Sequence, residues 1–386
     1  MPLGRCMDPK QVKPASAAAQ ALGWVDEKTR AVTPAIHPST TYLRDEDNQY
    51  RSGRGYIRAD NPSFDQAEAL LTHLEHGTGA MLFSSGMAAA TAVFMALKPG
   101  DHVVAPKVMY WGLRSWLQGF AKDWGLDIEL VDTTDQAALA RAMRPGQTKL
   151  VWIETPANPT WTITDIAATA KLAHTAGARL AVDSTVATPV LTQPLVLGAD
   201  IVMHAATKYL NGHSDVIAGA LVTARDDDFW KRLKAIRHDM GATLGSFEAW
   251  LLLRGMRTLF VRVPAACRGA QQIAEHFAKH PRISAVLYPG LPAAQGHAVA
   301  AREMSGGFGG MLSLRVKAGE AAAVATAAKV RLWKRATSLG GVESLIEHRA
   351  SVEGPTSPVP GDLLRLSVGL EDPADLIADL EQALGL

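Results

Sequence analysis

Between about residues 60 and 240, short apolar runs alternate with stretches of helical periodicity, and no other feature constrains the fold as tightly. The runs AMLF (80–83), HVVAP (102–106), IELVD (128–132), LVWIET (150–155), RLAVDS (179–184), DIVMHA (200–205) and GALVTA (219–224) read as strands. GMAAATAVFMAL (86–97) and DIAATAKLAHTAG (165–177) read as helices between them, the second stopped by Gly177. This order predicts an α/β fold with a mostly parallel sheet. A long helical stretch is expected over 246–280, kinked at Pro264. Beyond it, AVLYP, GGMLSLRV and LLRLSVGL, with a closing helix from Pro373, read as a smaller C-terminal α+β domain. Residues 1–58 are rich in Pro, Ser, Thr and Arg and read as an extended arm. The expected division is an arm over 1–58, a sheet domain over 59–245 and a C-terminal domain over 246–386.

The chain has 386 residues, 47% of them hydrophobic and 20% charged, which suits a globular protein with a large core. A net charge of +1 gives no reason to expect nucleic acid or an anionic membrane as partner. Two cysteines, Cys6 and Cys267, cannot build a disulfide framework, so a reducing cytoplasm is expected. The opening MPLGRCMDPK lacks the apolar core of a signal peptide, and no apolar run approaches membrane-spanning length.

Three strand-end features bear on chemistry. In LFSSGMAAATA a strand meets Ser84-Ser85-Gly86-Met87 and then a helix, whose first N–H groups beside a glycine suit an anion. An ordinary Ser-capped helix explains the same residues. Asp183 ends a strongly apolar strand, where a carboxylate is costly unless it meets a cation or several donors. Lys208 follows the next apolar run, in HAATKYLNGH (204–213). A desolvated lysine has a lowered pKa and a nucleophilic amine, although a surface lysine opening a turn is the simpler reading of that residue alone. Taken together, a phosphate cup, a buried acid and a buried lysine are what pyridoxal phosphate needs.

The sequence resembles the cystathionine, or Cys/Met metabolism, family of pyridoxal-phosphate enzymes. The resemblance rests on seven stretches in the family's order: GYIRADNPSFDQAEALL, FSSGMAA, ETPANP, VDSTVATP, HAATKYLNGHSDVIAGA, SLGGVESL and LLRLSVGLED. It runs from about Tyr56 to the C-terminus. It implies the large type I pyridoxal-phosphate fold, in which 59–245 would be the cofactor-binding domain. Lys208 would be the Schiff-base lysine and would move the substrate's α-proton. Asp183 would keep the pyridine nitrogen protonated. Tyr110 would stack on the ring and assist proton transfer. Gly86, Met87 and Thr207 would hold the phosphate. Tyr56 and Arg58 would reach the phosphate of a neighbouring subunit, implying a homotetramer built as a dimer of dimers. Arg365 and Asn158, helped by Ser338, would bind the substrate's α-carboxylate. No metal is expected.

The departures from the family's pattern concern both cofactor and substrate. Ala205 stands where serine is usual and Ser184 where asparagine is usual. Trp111 follows Tyr110 in place of glycine and would crowd the substrate pocket, and no cysteine follows Tyr110 as in a typical methionine γ-lyase. Thr337 precedes SLGG where a glutamate often binds the distal amino group of cystathionine. The common HPAS reads His348-Arg349-Ala350-Ser351, with Arg349 expected at the surface. The implied reaction is elimination of a β- or γ-substituent from an amino acid, first of all cystathionine-type C–S cleavage to an α-keto acid and ammonia. The alternatives are γ-replacement on an activated homoserine, as in a cystathionine γ-synthase or sulfhydrylase, and a γ-lyase acting on a non-sulfur substrate. A catalytically silent binding protein would have little reason to keep Lys208, Asp183 and Arg365 together. An aldolase-like lysine enzyme would not need Asp183 beside Gly86-Met87.

Overall fold

In a computed structural model of the chain, residues 11–354 and 358–385 are described; Cys6 lies outside them. The strands are β1 (Gly79–Phe83), β2 (His102–Pro106), β3 (Asp127–Val131), β4 (Thr148–Glu154), β5 (Arg179–Asp183), β6 (Ile201–His204), β7 (Gly219–Thr223), β8 (Ile283–Leu287), β9 (Met311–Val316), β10 (Lys334–Arg335), β11 (Leu345–His348) and β12 (Leu363–Ser367). Among the described residues they form a seven-stranded, mostly parallel sheet and a five-stranded sheet, which is the α/β architecture expected. By their internal contacts the residues fall into two compact units, Met1–Ala96 with Met203–Phe260 and Leu97–Val202 with Val261–Leu386.

In the first unit, β1 and β7 pair antiparallel from Gly79↔Thr223 to Phe83↔Gly219. The helix Pro62–Leu74 starts where Asn61 accepts a hydrogen bond from the Ser63 N–H at 2.9 Å and Pro62 supplies a preset φ. It buries Phe64, Ala67, Leu70, Leu71 and Leu74, an apolar stripe at helical spacing that packs on β1 and on the helix Ser246–Met256. Each large side chain so buried contributes roughly 1.5–3 kcal/mol. The amide of Asn61 also donates to the carbonyls of His37 (2.9 Å) and Ser39 (3.3 Å), so the cap of this helix ties down the arm.

In the second unit, β5, β4, β2 and β3 lie side by side in parallel, with Glu154 opposite Asp183 at the β4–β5 ends. Every residue of β2 is buried, and six of seven in β4 are, as expected of strands covered on both faces. Val104, Val151, Ile153, Leu180 and Val182 pack against Ile166, Ala170 and Ala173 of the helix Ile166–Thr175. The second sheet runs β10-β11-β12-β9-β8, antiparallel except for β10–β11. The helices Glu320–Lys329 and Pro373–Leu384 add Ala323, Leu376 and Leu380 to a core with Leu312, Leu314, Ile346, Leu364 and Leu366.

One expectation needs correction here. The stretch 246–280 is two helices, Ser246–Met256 and Leu259–Phe277, broken at Arg257-Thr258 and not at Pro264. There the Thr258 hydroxyl donates to the Gly255 carbonyl at 3.0 Å and the Arg257 Nε to that of Ala19 at 3.0 Å. Strands β10 and β11 had no sequence reading, because Glu347, His348 and their neighbours do not alternate apolar with polar. No described helix is long and apolar enough to cross a membrane.

Candidate active site

Lys208 is half-buried and lies four residues beyond the end of β6, in a turn rather than at the strand end. The turn is held by its own backbone: Lys208 N–H donates to Ala205 O (2.9 Å), Asn211 N–H to Ala206 O (3.0 Å) and Gly212 N–H to Lys208 O (2.7 Å). Behind it stands the helix Ser246–Met256, where a Cβ on Gly255 would lie 2.2 Å from the Asn211 carbonyl oxygen, so only glycine lets helix and turn approach this closely. Ahead of it, the His204 Nε2 sits 2.6 Å from Glu75 Oε1, with both side chains fully buried. This pair ties the end of β6 to the C-cap of the helix Pro62–Leu74.

The phosphate residues expected from the sequence come together in the same unit. Ser85 caps the helix Gly86–Met95 by accepting from the Ala88 N–H at 3.0 Å, which leaves the N–H groups of Gly86 and Met87 unused by the helix. A Cβ on Gly86 would come within 2.7 Å of the Ala205 Cβ and 3.0 Å of its Cα. Bare backbone is therefore required where the helix start meets the Ala205–Lys208 turn. Thr207 exchanges hydrogen bonds with Ala218: its hydroxyl accepts from the Ala218 N–H at 3.0 Å, and its N–H donates to the Ala218 carbonyl at 3.1 Å. Two N–H donors at a helix start and an amine on an adjoining turn suit a phosphate ester with an aldehyde, so these residues fit pyridoxal phosphate; the Thr207 hydroxyl beside them donates to the Ala218 carbonyl at 3.1 Å.

In the second unit, Asp183 is 9% exposed at the end of β5 and accepts from the Thr185 N–H at 3.0 Å. The Ser184 hydroxyl beside it is buried without a hydrogen-bond partner among the described residues. Opposite Asp183 stands Glu154, which the sequence reading missed. Its two carboxylate oxygens accept from the N–H groups of Tyr110 (2.6 Å) and Asn158 (2.9 Å), so one side chain sets two segments of the expected site. Burial, with Asp183 adding repulsion, pushes its carboxyl up to about 8. The signal was present in the sequence: ETPANP, like VDSTVATP, puts a carboxylate at the end of an apolar run.

Arg365, Asn158 and Ser338 are also brought together. Arg365, 4% exposed on β12, places Nη1 3.4 Å from Asn158 Oδ1 and donates through Nη2 to the Ser338 carbonyl at 2.7 Å. Its Nη2 also lies 2.7 Å from Glu347 Oε2. Burial lowers its guanidinium to about 10, with Glu347 opposing the shift and Arg349 adding to it. Ser338 adopts φ +95°, a strained backbone for a residue with a side chain. Arg349 is not at the surface as expected: it is 4% exposed and pairs with Glu347 and Glu353. Burial pulls its guanidinium down, and the two carboxylates overcome this and shift it upward.

The remaining expected residues are exposed in this chain. Tyr110 and Trp111 are 44% and 42% exposed, at the N-cap and first position of the helix Trp111–Trp116. Thr337 is exposed. Tyr56 is 48% exposed, with the Arg58 guanidinium 5.5 Å from its ring centre. Thr243 donates through its hydroxyl to the Arg58 carbonyl at 3.3 Å, and Arg237 through Nη2 to that of Ala59 at 2.9 Å, so the end of the arm is anchored.

Residues 16–385 match the family described as Cys/Met metabolism PLP-dependent enzyme. The cystathionine gamma-synthase of Mycobacterium tuberculosis is 46% identical over 378 residues, covering 96% of this chain and 97% of that protein. The cystathionine gamma-lyase of Bacillus subtilis is 41% identical over 367 residues, covering 93% of this chain and 96% of that protein. The solved structure of cystathionine gamma synthase from Xanthomonas oryzae pv. oryzae in complex with cystathionine matches with a TM-score of 0.92 at 39% identity, over 97% of this chain and 98% of that one.

Proposed function

The chain belongs to the Cys/Met metabolism family of pyridoxal-phosphate-dependent enzymes, and we propose that it cleaves the C–S bond of a cystathionine-type amino acid, releasing a thiol amino acid, an α-keto acid and ammonia. The observation that carries this reading is the buried Arg365, set between Asn158 and Ser338 as a substrate α-carboxylate would need. A second reading, γ-replacement of an activated homoserine's leaving group by the thiol of cysteine, is supported by the 46% identity to a protein named cystathionine gamma-synthase.

When bound, pyridoxal phosphate withdraws electrons from the carbon that carries the substrate's amino nitrogen. Lys208 would anchor the cofactor and take the proton from the substrate's Cα. Asp183 would keep the pyridine nitrogen protonated. Gly86, Met87 and Thr207 would hold the phosphate, and Tyr110 would stack on the ring and assist proton transfer. Arg365, Asn158 and Ser338 would bind and orient the substrate's α-carboxylate.

The two readings separate in one experiment. The protein is given cystathionine alone, then an acylated homoserine with cysteine, and keto acid, ammonia and cystathionine are measured. Keto acid and ammonia from cystathionine are expected; cystathionine synthesis without cleavage would replace the lyase reading by the second. Thr337→Glu supplies a partner for a distal ammonium and should raise kcat/KM for cystathionine over simpler γ-substituted substrates, by about tenfold. No change in that ratio would mean that another residue reads the distal group.

We further infer a cytoplasmic homotetramer, a dimer of dimers in which the arm over 1–58 carries Tyr56 and Arg58 to a neighbour's cofactor phosphate, with 59–245 binding the cofactor and 246–386 forming the C-terminal domain. The exposure of Tyr56 and Arg58 and the anchoring of the arm's end support this. Arg58→Ala should weaken cofactor retention. Mixed after unfolding and refolding with an inactive Lys208→Ala chain, it should regain part of its activity through hybrid sites. A fully active monomer on a sizing column, or no recovery in the mixture, would contradict the shared site.

A further inference from the structure

A single carboxylate oxygen, Glu347 Oε2, lies 2.7 Å from Arg365 Nη2 and 2.8 Å from Arg349 Nη1. All three side chains are nearly fully buried: 4% exposed for Arg365, 5% for Arg349 and 8% for Glu347. On its far side Arg349 places Nη2 2.7 Å and Nε 3.2 Å from Glu353 Oε1. The cluster therefore holds two guanidiniums and two carboxylates and is neutral as it stands. Its charges are unevenly shared. Arg349 has contacts with two carboxylates, whereas Arg365 has half the attention of one.

We propose that Arg349 is a positioning residue for Arg365, drawing Glu347 away so that Arg365 keeps an unsatisfied positive charge for the substrate's α-carboxylate. The inference rests on the reading of Arg365 as the α-carboxylate site. A buried anion shared between two cations neutralises neither completely. Without Arg349, Glu347 would belong to Arg365 alone, and an incoming carboxylate would meet a closed ion pair with a second anion beside it. Glu353 completes the arrangement by giving Arg349 a partner of its own, so that no guanidinium is buried without compensation. The downward shift of the Arg365 guanidinium and the upward shift of Arg349 agree with this uneven sharing. The arginine also stands where the family resemblance puts proline, which carries no charge, so the device is a feature of this chain.

The test removes the outer pair without changing net charge. In the holoenzyme, Arg349→Met with Glu353→Gln should raise KM for cystathionine, and the dissociation constant of the unreactive amino acid L-norleucine, by about tenfold or more, while kcat falls by a smaller factor. Adding Glu347→Gln should bring both back toward the wild-type values, because the competing carboxylate is gone. A merely structural role for Arg349 predicts the opposite, since a third buried substitution would worsen binding further. Unchanged norleucine binding in the double variant, or no recovery in the triple, overturns the proposal. Should the double variant fail to fold, Arg349→Gln with Glu353→Gln removes the same two charges but keeps polar side chains at both positions, and an unchanged norleucine affinity there overturns it equally. Arg365→Leu separates the two levels. If that change leaves norleucine binding intact, the reading of Arg365 has failed; if it abolishes binding while the Arg349 variants do not alter it, only the present inference has.

Discussion

Lys208→Ala is expected to give a folded protein whose turnover of cystathionine has fallen by roughly a thousandfold or more. The fold should survive because the turn around Lys208 is closed by backbone hydrogen bonds to Ala205 and from Gly212, none of which uses the side chain. Its packing against the helix Ser246–Met256 at Gly255 is likewise a matter of backbone. The wild-type protein should be yellow and should bleach on borohydride treatment. The variant should retain its melting temperature within about 4 °C, and borohydride should no longer fix the cofactor to the chain. Substantial elimination activity in Lys208→Ala would remove Lys208 from its proposed role, whatever happened to the colour.

Replacing Arg365 by leucine should raise KM for α-amino acid substrates by about a hundredfold, with a smaller fall in kcat. The size follows from burial: Arg365 is 4% exposed, so little water can stand in for the lost guanidinium. Removing one member of a buried ion pair costs about 3–5 kcal/mol when its partner is stranded. Glu347 keeps Arg349 at 2.8 Å, so the loss of stability should fall below that range. The decisive comparison uses a substrate and its α-carboxamide. Wild type should prefer the acid strongly and Arg365→Leu should treat the two alike; an undiminished preference would place the carboxylate elsewhere.

The parts of the molecule that could be read from the chain are those governed by local pattern. All seven strands between β1 and β7 lie within two residues of the apolar runs, because the central strands, covered on both faces, are written as continuous apolar residues. The helix start at Gly86-Met87 was legible for a similar reason, since a serine cap and a glycine before an apolar helix are a local signature. The break at Arg257-Thr258 was not, because nothing in the local sequence outweighs Pro264 as a punctuation mark. It is held instead by contacts such as that of Arg257 with Ala19, far away in the chain.

Charged residues divide along the same line. Asp183 at the end of an apolar run carried its own message, and Glu154, which opens ETPANP, carried the same one unread. Arg349 carried none. Its exposure depends on whether carboxylates wait for it, and Glu347 and Glu353 are recognisable as partners only once β11 pairs with β12 and sets Glu347 directly opposite Arg365. By itself the amino-acid order determined the α/β alternation, the family and the residue types available for chemistry. Only the tertiary structure decided which charges are buried together, because a Coulomb interaction depends on separation in space and on how much water has been displaced, and neither quantity is written in sequence distance.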